Sequence, residues 1–156
     1  MAKEIERKFT VQGDFRRFIT DSVHICQGYI AHEKGRSVRV RITDGKGTLT
    51  IKGPQEAAGV SCRTEWEKEL SEEDALVLLS LCQGGFIDKT RHTVPYEGHV
   101  FEVDEFHGDN EGLIMAEVEL GSVEEEFERP QWLGEEVSAD PRYYNASLLK
   151  YPYKEW

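Results

Sequence analysis

Cysteine is scarce in this 156-residue chain. The three present, Cys26, Cys62 and Cys82, are widely spaced, with no CxxC pair and no even count for a disulfide framework. Buried, reduced thiols are the simple reading. Long apolar runs are also missing. The longest, Ala75 to Cys82, is too short to span a bilayer. Met1-Ala2-Lys3-Glu4 leads straight into alternating charged residues with no apolar h-region, so no secretory signal is expected and the expected location is cytoplasmic. Basic residues are outnumbered, 19 against 30 acids, for a net charge of −11. That balance disfavours sequence-independent binding to nucleic acid and to an anionic membrane surface. It leaves room for a local basic cavity. Several catalytic signatures are absent: no GxxxxGK[ST] loop, no GxSxG elbow, and no HExxH or HxxxH spacing among His24, His32, His92, His99 and His107. Trp66, Trp132 and Trp156 form no stacking stripe.

What remains is enough for one domain over residues 1–156, since 38 % of the residues are hydrophobic and 10 % aromatic. No linker, repeat or low-complexity tract interrupts it. Period-two alternation predicts strands near 4–11, 25–33, 36–43, 47–53, 60–70, 86–96, 99–107 and 114–120. Asp44-Gly45-Lys46-Gly47, Glu97-Gly98 and Asp109-Asn110-Glu111-Gly112 supply turns. A short helix is expected around Asp14 to Ile19, with Phe15, Phe18 and Ile19 inward. Ser71-Glu72-Glu73-Asp74 reads as a capped helix start, followed by an apolar face of Leu76, Val77 and Leu79 and ended by Gly84-Gly85. Ser122 to Glu125 repeats the cap pattern before Phe127. Asp140-Pro141 caps a last helix carrying Tyr144, Leu148 and Leu149. Hairpin-length turns favour antiparallel pairing, hence an α+β fold rather than a doubly wound one.

The strands divide their charge unusually. Glu4, Glu6 and Lys8 lie opposite Ile5 and Phe9. Arg39 and Arg41 lie opposite Val38, Val40 and Ile42. Lys52 shares the threonine face of its strand. Arg63, Glu65, Glu67 and Glu69 share a face, as do Lys89 and Arg91; Glu102 and Asp104 oppose Phe101 and Val103, and Glu117 and Glu119 oppose Ala116, Val118 and Leu120. One face on a core and one in water is the plain reading of any single strand. Eight strands, however, are enough to close a small barrel. If helices cover the apolar face, the charged face turns inward and lines a lumen. Both signs inside a lumen need a filler: a polyanion for Arg and Lys, and a divalent cation for Glu.

In this order the residues resemble the CYTH superfamily, the triphosphate tunnel metalloenzymes, and among them the short bacterial inorganic triphosphatases. The ExExK of Glu4, Glu6 and Lys8 comes first. Gln27-Gly28-Tyr29-Ile30, the RxR of Arg39 and Arg41, Lys52, the RxExE of Arg63, Glu65 and Glu67, the KxR of Lys89 and Arg91, the ExD of Glu102 and Asp104, and the ExE of Glu117 and Glu119 follow. Ser138 to Asn145 is similar to the family's closing segment. The resemblance implies an eight-stranded antiparallel β-barrel, or tunnel, with helices packed on the outside. It implies metal-dependent hydrolysis of a triphosphate, inorganic tripolyphosphate first among them, to pyrophosphate and phosphate. Lys8, Arg39, Arg41, Lys52, Lys89 and Arg91 are then the substrate ligands; ion pairing to the glutamates is their alternative. Glu4, Glu6, Glu117 and Glu119 are the expected ligands of Mg²⁺ or Mn²⁺. Glu65, Glu67, Glu102 and Asp104 are open between a second metal, orientation of the arginines and charge balance. Lys8 and Tyr29 resemble a catalytic pair on neighbouring strands, with packing as the alternative for Tyr29. A class IV adenylyl cyclase and a non-catalytic polyphosphate- or nucleotide-binding module are the competing functions. The partner is a small-molecule triphosphate, and homodimer formation stays open.

Overall fold

A computed structural model of the chain describes residues 2–56 and 61–156. The strands are β1 (Ala2–Val11), β2 (Asp21–Glu33), β3 (Arg36–Thr43), β4 (Lys46–Lys52), β5 (Ser61–Leu70), β6 (Ile87–Tyr96), β7 (His99–Phe106), β8 (Ile114–Glu119) and β9 (Leu133–Glu136). The helices are α1 (Glu72–Leu79) and α2 (Asn145–Lys150), with single 3₁₀ turns at Arg16–Phe18, Gly108–Asn110, Pro141–Tyr143 and Tyr153–Glu155. Every pairing is antiparallel. The sheet runs β5-β4-β3-β2-β6-β7-β8-β1, and β1 pairs back to β5, closing an eight-stranded barrel. β8 takes one edge of β1. β5 pairs with residues 2–6 of β1, and the short β9 pairs with Phe9 and Val11.

The α+β barrel and its eight main strands match the sequence reading to within a few residues; the expected start of the fifth strand at residue 60 lies outside the described residues. Three two-residue turns close hairpins: Asp44-Gly45, Glu97-Gly98 and Lys34-Gly35, each with both residues at positive φ. That geometry matches the strand twist. Lys34 is the surprise, because lysine seldom adopts φ near 51°.

Two layers cover the outside, and they differ. α1 lies on β2–β4, its Ser71 cap accepting from the Asp74 amide at 3.1 Å. Ala75 and Leu79 are buried against Val40. The helix sits so close that a Cβ on Gly47 would stand 2.6 Å from that of Ala75. Leu76 and Val77 are exposed instead of inward. The i, i+4 pair Ala75/Leu79 sets the buried stripe, and a helix this short has no other. Over β1 and β6–β8, an irregular segment replaces the helix expected after Ser122: no helix forms there among the described residues. Phe15, Phe127, Trp132 and Leu133 pack on Phe9, Val94, Phe101 and Val118. Phe15 is buried and Ile19 packs half-buried on the same core, but Phe18 is half-exposed rather than inward, because the segment is a single 3₁₀ turn and not a longer helix.

α2 does not join the outer layer. The register sets Phe106 opposite Lys89 and Met115 opposite Asp104, so both apolar side chains share the charged, inward face. Leu148 of α2 packs on them with Ile87 and Leu113. The C-terminal segment therefore closes one end of the barrel, and its Tyr144, Asn145 and Ser147 form part of the cavity wall.

Candidate active site

The lumen holds a cavity of about 350 Å³. Glu4, Glu6 and Lys8 reach it from β1, Tyr29 from β2, Arg39 and Arg41 from β3, and Lys52 from β4. Lys89 and Arg91 come from β6, Glu102 from β7, and Glu117 and Glu119 from β8. Twelve residues named from sequence thus converge. Strand order decides how they face. β3 and β8 lie diametrically across the closed ring, as do β1 and β2. Arg39 and Arg41 therefore look across the lumen at Glu117 and Glu119, and the lumen has a cationic wall and an acidic wall. Lys8 and Tyr29 likewise meet across the lumen. The expectation that their strands are neighbours is wrong, because β1 is flanked by β5, β8 and β9, and β2 by β3 and β6.

On the cationic wall, β6 is neutralised from below and β3 is not. Asp104 is 1 % exposed and does not reach the cavity. Its Oδ2 accepts from Lys89 Nζ at 2.8 Å, and its two oxygens take Arg91 Nε and Nη2 at 2.7 and 2.9 Å. Although burial opposes ionisation, Arg91 and Lys89 hold the Asp104 carboxyl far below the usual range. Burial, with Arg91 and Arg41 nearby, pulls the Lys89 ammonium down despite Asp104. Arg41 has no ion-paired carboxylate among the described residues. Its Nε donates to Gln27 Oε1 at 2.8 Å, and burial beside Arg39 and Arg91 pulls it down to about 9. Arg39 donates from Nη2 to Thr50 Oγ1 at 3.2 Å, and its buried Nε has no partner among the described residues. Two guanidiniums packed side by side without a counter-charge are costly unless an anion arrives.

The acidic wall carries the opposite imbalance. Glu6 is opposite Glu119 in register, and Glu102 is opposite Glu117. Burial and then Glu6 push the Glu117 carboxyl up; burial, Glu4 and Glu102 push up Glu119; burial also raises Glu102 against the pull of Arg91. Lysines take up part of the surplus. Lys52 is ion-paired to Glu4 and lies 3.7 Å from Glu65, and Lys8 is 4.0 Å from Glu6. Burial opposes the Lys8 charge, but Glu117 and Glu6 outweigh it and raise the ammonium. No three Asp, Glu, His or Cys side chains among the described residues converge at metal-holding distance. The donor set nonetheless fits a hard divalent cation: carboxylate oxygens only, several of them mutually repelled at this spacing.

Three motif residues have other duties. Arg63 donates to the Gly53 and Gly35 carbonyls at 2.7 and 2.6 Å and to Ser37 Oγ, which ties the β2–β3 turn to the chain after β4. Glu67 accepts from Thr50 Oγ1 at 3.3 Å, and Glu65 faces Lys52; neither lines the cavity. Sequence reasoning missed Gln27, Asn145 and His32. Gln27 alternates with Tyr29, so the period-two signal does place it inward. His32 breaks that alternation. The register slips between Tyr29 and Ala31, and the extra residue at Ile30 turns His32 to the same face as Ser37 and the cavity.

The CYTH domain profile matches residues 2–149. A curated inorganic triphosphatase of Acetivibrio thermocellus is 46 % identical over 157 aligned positions, covering 100 % of this chain and 99 % of that one. An inorganic triphosphatase of Nitrosomonas europaea is 34 % identical, covering 93 % and 95 %. A crystal structure of an inorganic triphosphatase superposes with a TM-score of 0.67 at 31 % identity, covering 96 % of this chain and 95 % of that one. The matched span contains every charged residue of the two facing walls, and the chain belongs to the CYTH domain family.

Proposed function

We infer that this protein is a triphosphatase that hydrolyses inorganic tripolyphosphate to pyrophosphate and phosphate. The observation that carries the substrate class is the pair Arg39 and Arg41, half-buried, adjacent and with no ion-paired carboxylate among the described residues. Two relatives bearing the name inorganic triphosphatase align along 100 % and 93 % of the chain. Tripolyphosphate carries about four negative charges near neutrality, and a ring of guanidiniums and ammoniums from β1, β3, β4 and β6 offers it donors on several sides.

Each residue then has a task. Arg39 and Arg41 grip phosphate oxygens with planar forks. Lys89 and Arg91, held in place by Asp104, meet the chain from the next wall. Lys52 and Lys8 stand between the acidic wall and the substrate and contact both. Glu4, Glu6, Glu117 and Glu119 would hold Mg²⁺ or Mn²⁺, with Glu102 beside them. Such a cation, when bound, neutralises charge on the phosphate oxygens that the cationic wall does not reach. Tyr29 and Lys8 face the substrate from opposite sides as the catalytic pair. The C-terminal closure keeps the site short and one-ended. Phosphorus NMR of tripolyphosphate incubated with the protein and Mg²⁺ or Mn²⁺ tests the reading: pyrophosphate and phosphate should appear in equal amounts. Ligand that binds but persists at saturating metal would replace this reading with that of a binding module.

A further inference from the structure

Gln27 is fully buried on the inward face of β2 and has no charge to justify its place. Its amide is satisfied in a particular way. Oε1 accepts from Arg41 Nε at 2.8 Å, while Nε2 lies 3.2 Å from both Tyr29 Oη and Asn145 Oδ1. Asn145, the first residue of α2, also accepts from Lys89 Nζ at 2.8 Å. The chain of contacts thus runs Arg41–Gln27–Asn145–Lys89, with Tyr29 on a branch.

Its polarity follows from chemistry. A guanidinium has only donors, so the Gln27 atom facing Arg41 is the carbonyl oxygen. The amide nitrogen then faces Tyr29 and Asn145 and donates to both. Tyr29 accepts, which leaves its own hydroxyl proton for another partner. That proton has no acceptor among the described residues, and Tyr29 lines the cavity. We infer that Gln27 and Asn145 are positioning residues of the site: they lock Arg41 and Lys89 in register and turn the Tyr29 hydroxyl proton toward the bound triphosphate. Tyr29 is then a hydrogen-bond donor to a phosphate oxygen and not a base for water. Because Asn145 opens α2, the same relay joins the end closure of the barrel to the phosphate cradle. This assignment rests on the triphosphatase reading.

The test is a set of variants, Q27M, Y29F, Q27M/Y29F, N145L and N145D, assayed for kcat and KM on tripolyphosphate with melting temperatures alongside. Q27M should lose at least about tenfold in kcat in the wild-type background and under about threefold in the Y29F background, since residues acting through one another are non-additive. N145D keeps the acceptor for Gln27 and Lys89 and should recover most of the loss seen in N145L. Equal losses for Q27M in both backgrounds, or N145D as poor as N145L at matched melting temperature, would overturn the relay. A wild-type protein that leaves every triphosphate intact would instead overturn the activity. In that event the relay is read in the unliganded protein by nitrogen-15 NMR. The Gln27 side-chain NH₂ should exchange slowly in wild type and N145D and quickly in N145L; fast exchange in wild type refutes it.

Discussion

Replacing Asp104 by Asn keeps the shape of the side chain and removes one charge. Asp104 lies beneath Lys89 and Arg91, and its two oxygens serve both. Lys89 is 1 % exposed and cannot turn to water, whereas the Arg91 side chain is 13 % exposed and partly can. Removing one partner of a buried ion pair costs roughly 3–5 kcal/mol. Partial access for Arg91 favours the lower end. At roughly 2–4 °C per kcal/mol for a chain of this size, the melting temperature should fall by about 6–12 °C. The sign of the ligand effect distinguishes this cause from loss of packing. D104N leaves Lys89 without a counter-charge and Arg91 with Glu102 alone, at 3.4 Å, so tripolyphosphate should raise its melting temperature by more than it raises that of the wild type. Differential scanning fluorimetry with and without tripolyphosphate, in chelator, reads both quantities. A variant that melts within 2 °C of wild type with an unchanged ligand shift would refute the charge bookkeeping, as ~2 °C is less than 1 kcal/mol.

Chelation should abolish turnover and Mg²⁺ or Mn²⁺ should restore it, with E6Q and E119Q each losing at least ~100-fold in rate; full activity in excess chelator would exclude the acidic wall as a metal site. Glu105 accepts from Arg16 at 3.1 and 2.9 Å and from His92 at 3.1 Å, and its carboxyl is held down at about 2 mainly by the Arg16 contact. A depressed carboxylate stabilises above its unfolded pKa near ~4.3 and loses that contribution as pH falls through the folded value. The urea midpoint of wild type should therefore exceed that of E105Q above pH 4.5 and converge on it toward pH 2, with a smaller gap in high salt; a constant gap contradicts the linkage. Leu148→Ala should cost roughly 2–5 kcal/mol by leaving a cavity against Ile87, Phe106 and Met115, and should also slow turnover through Asn145. Loss of stability with undiminished rate would separate the end closure from the site.

The barrel was legible because its two faces differ so sharply in charge. Arg39-Val40-Arg41 and Glu117-Val118-Glu119 each announce a strand and the side that turns inward. What failed was whatever depends on contacts far apart in sequence. β9 is four residues, Leu133 to Glu136, too short for alternation to show, and exists because the second half of β1 has an edge free of β5. Val77 and Leu76 looked like a helix face, yet the fit of Ala75 against Gly47 fixed the rotation of α1 instead. α2 fills an inward-facing apolar patch whose members, Ile87, Phe106 and Met115, come from three strands. At the site, residue type and face were readable, and partners were not. Asp104, Glu102, Glu65 and Glu67 all carry inward carboxylates, but only the register shows Asp104 beneath two cations and Glu65 beside Lys52. The ring order, which puts β1 across from β2, places Lys8 and Tyr29 on facing walls.

The central claim is that the cationic wall serves a bare triphosphate. Initial rates at matched metal on tripolyphosphate, ATP, GTP and thiamine triphosphate, with chromatographic identification of every product, test it most directly. The account predicts a kcat/KM for tripolyphosphate at least ~100-fold above the other three, with pyrophosphate and phosphate as products and slow release of ADP and phosphate from ATP. Cyclic AMP and pyrophosphate as the main products from ATP, or equal rates on all four substrates, would contradict it.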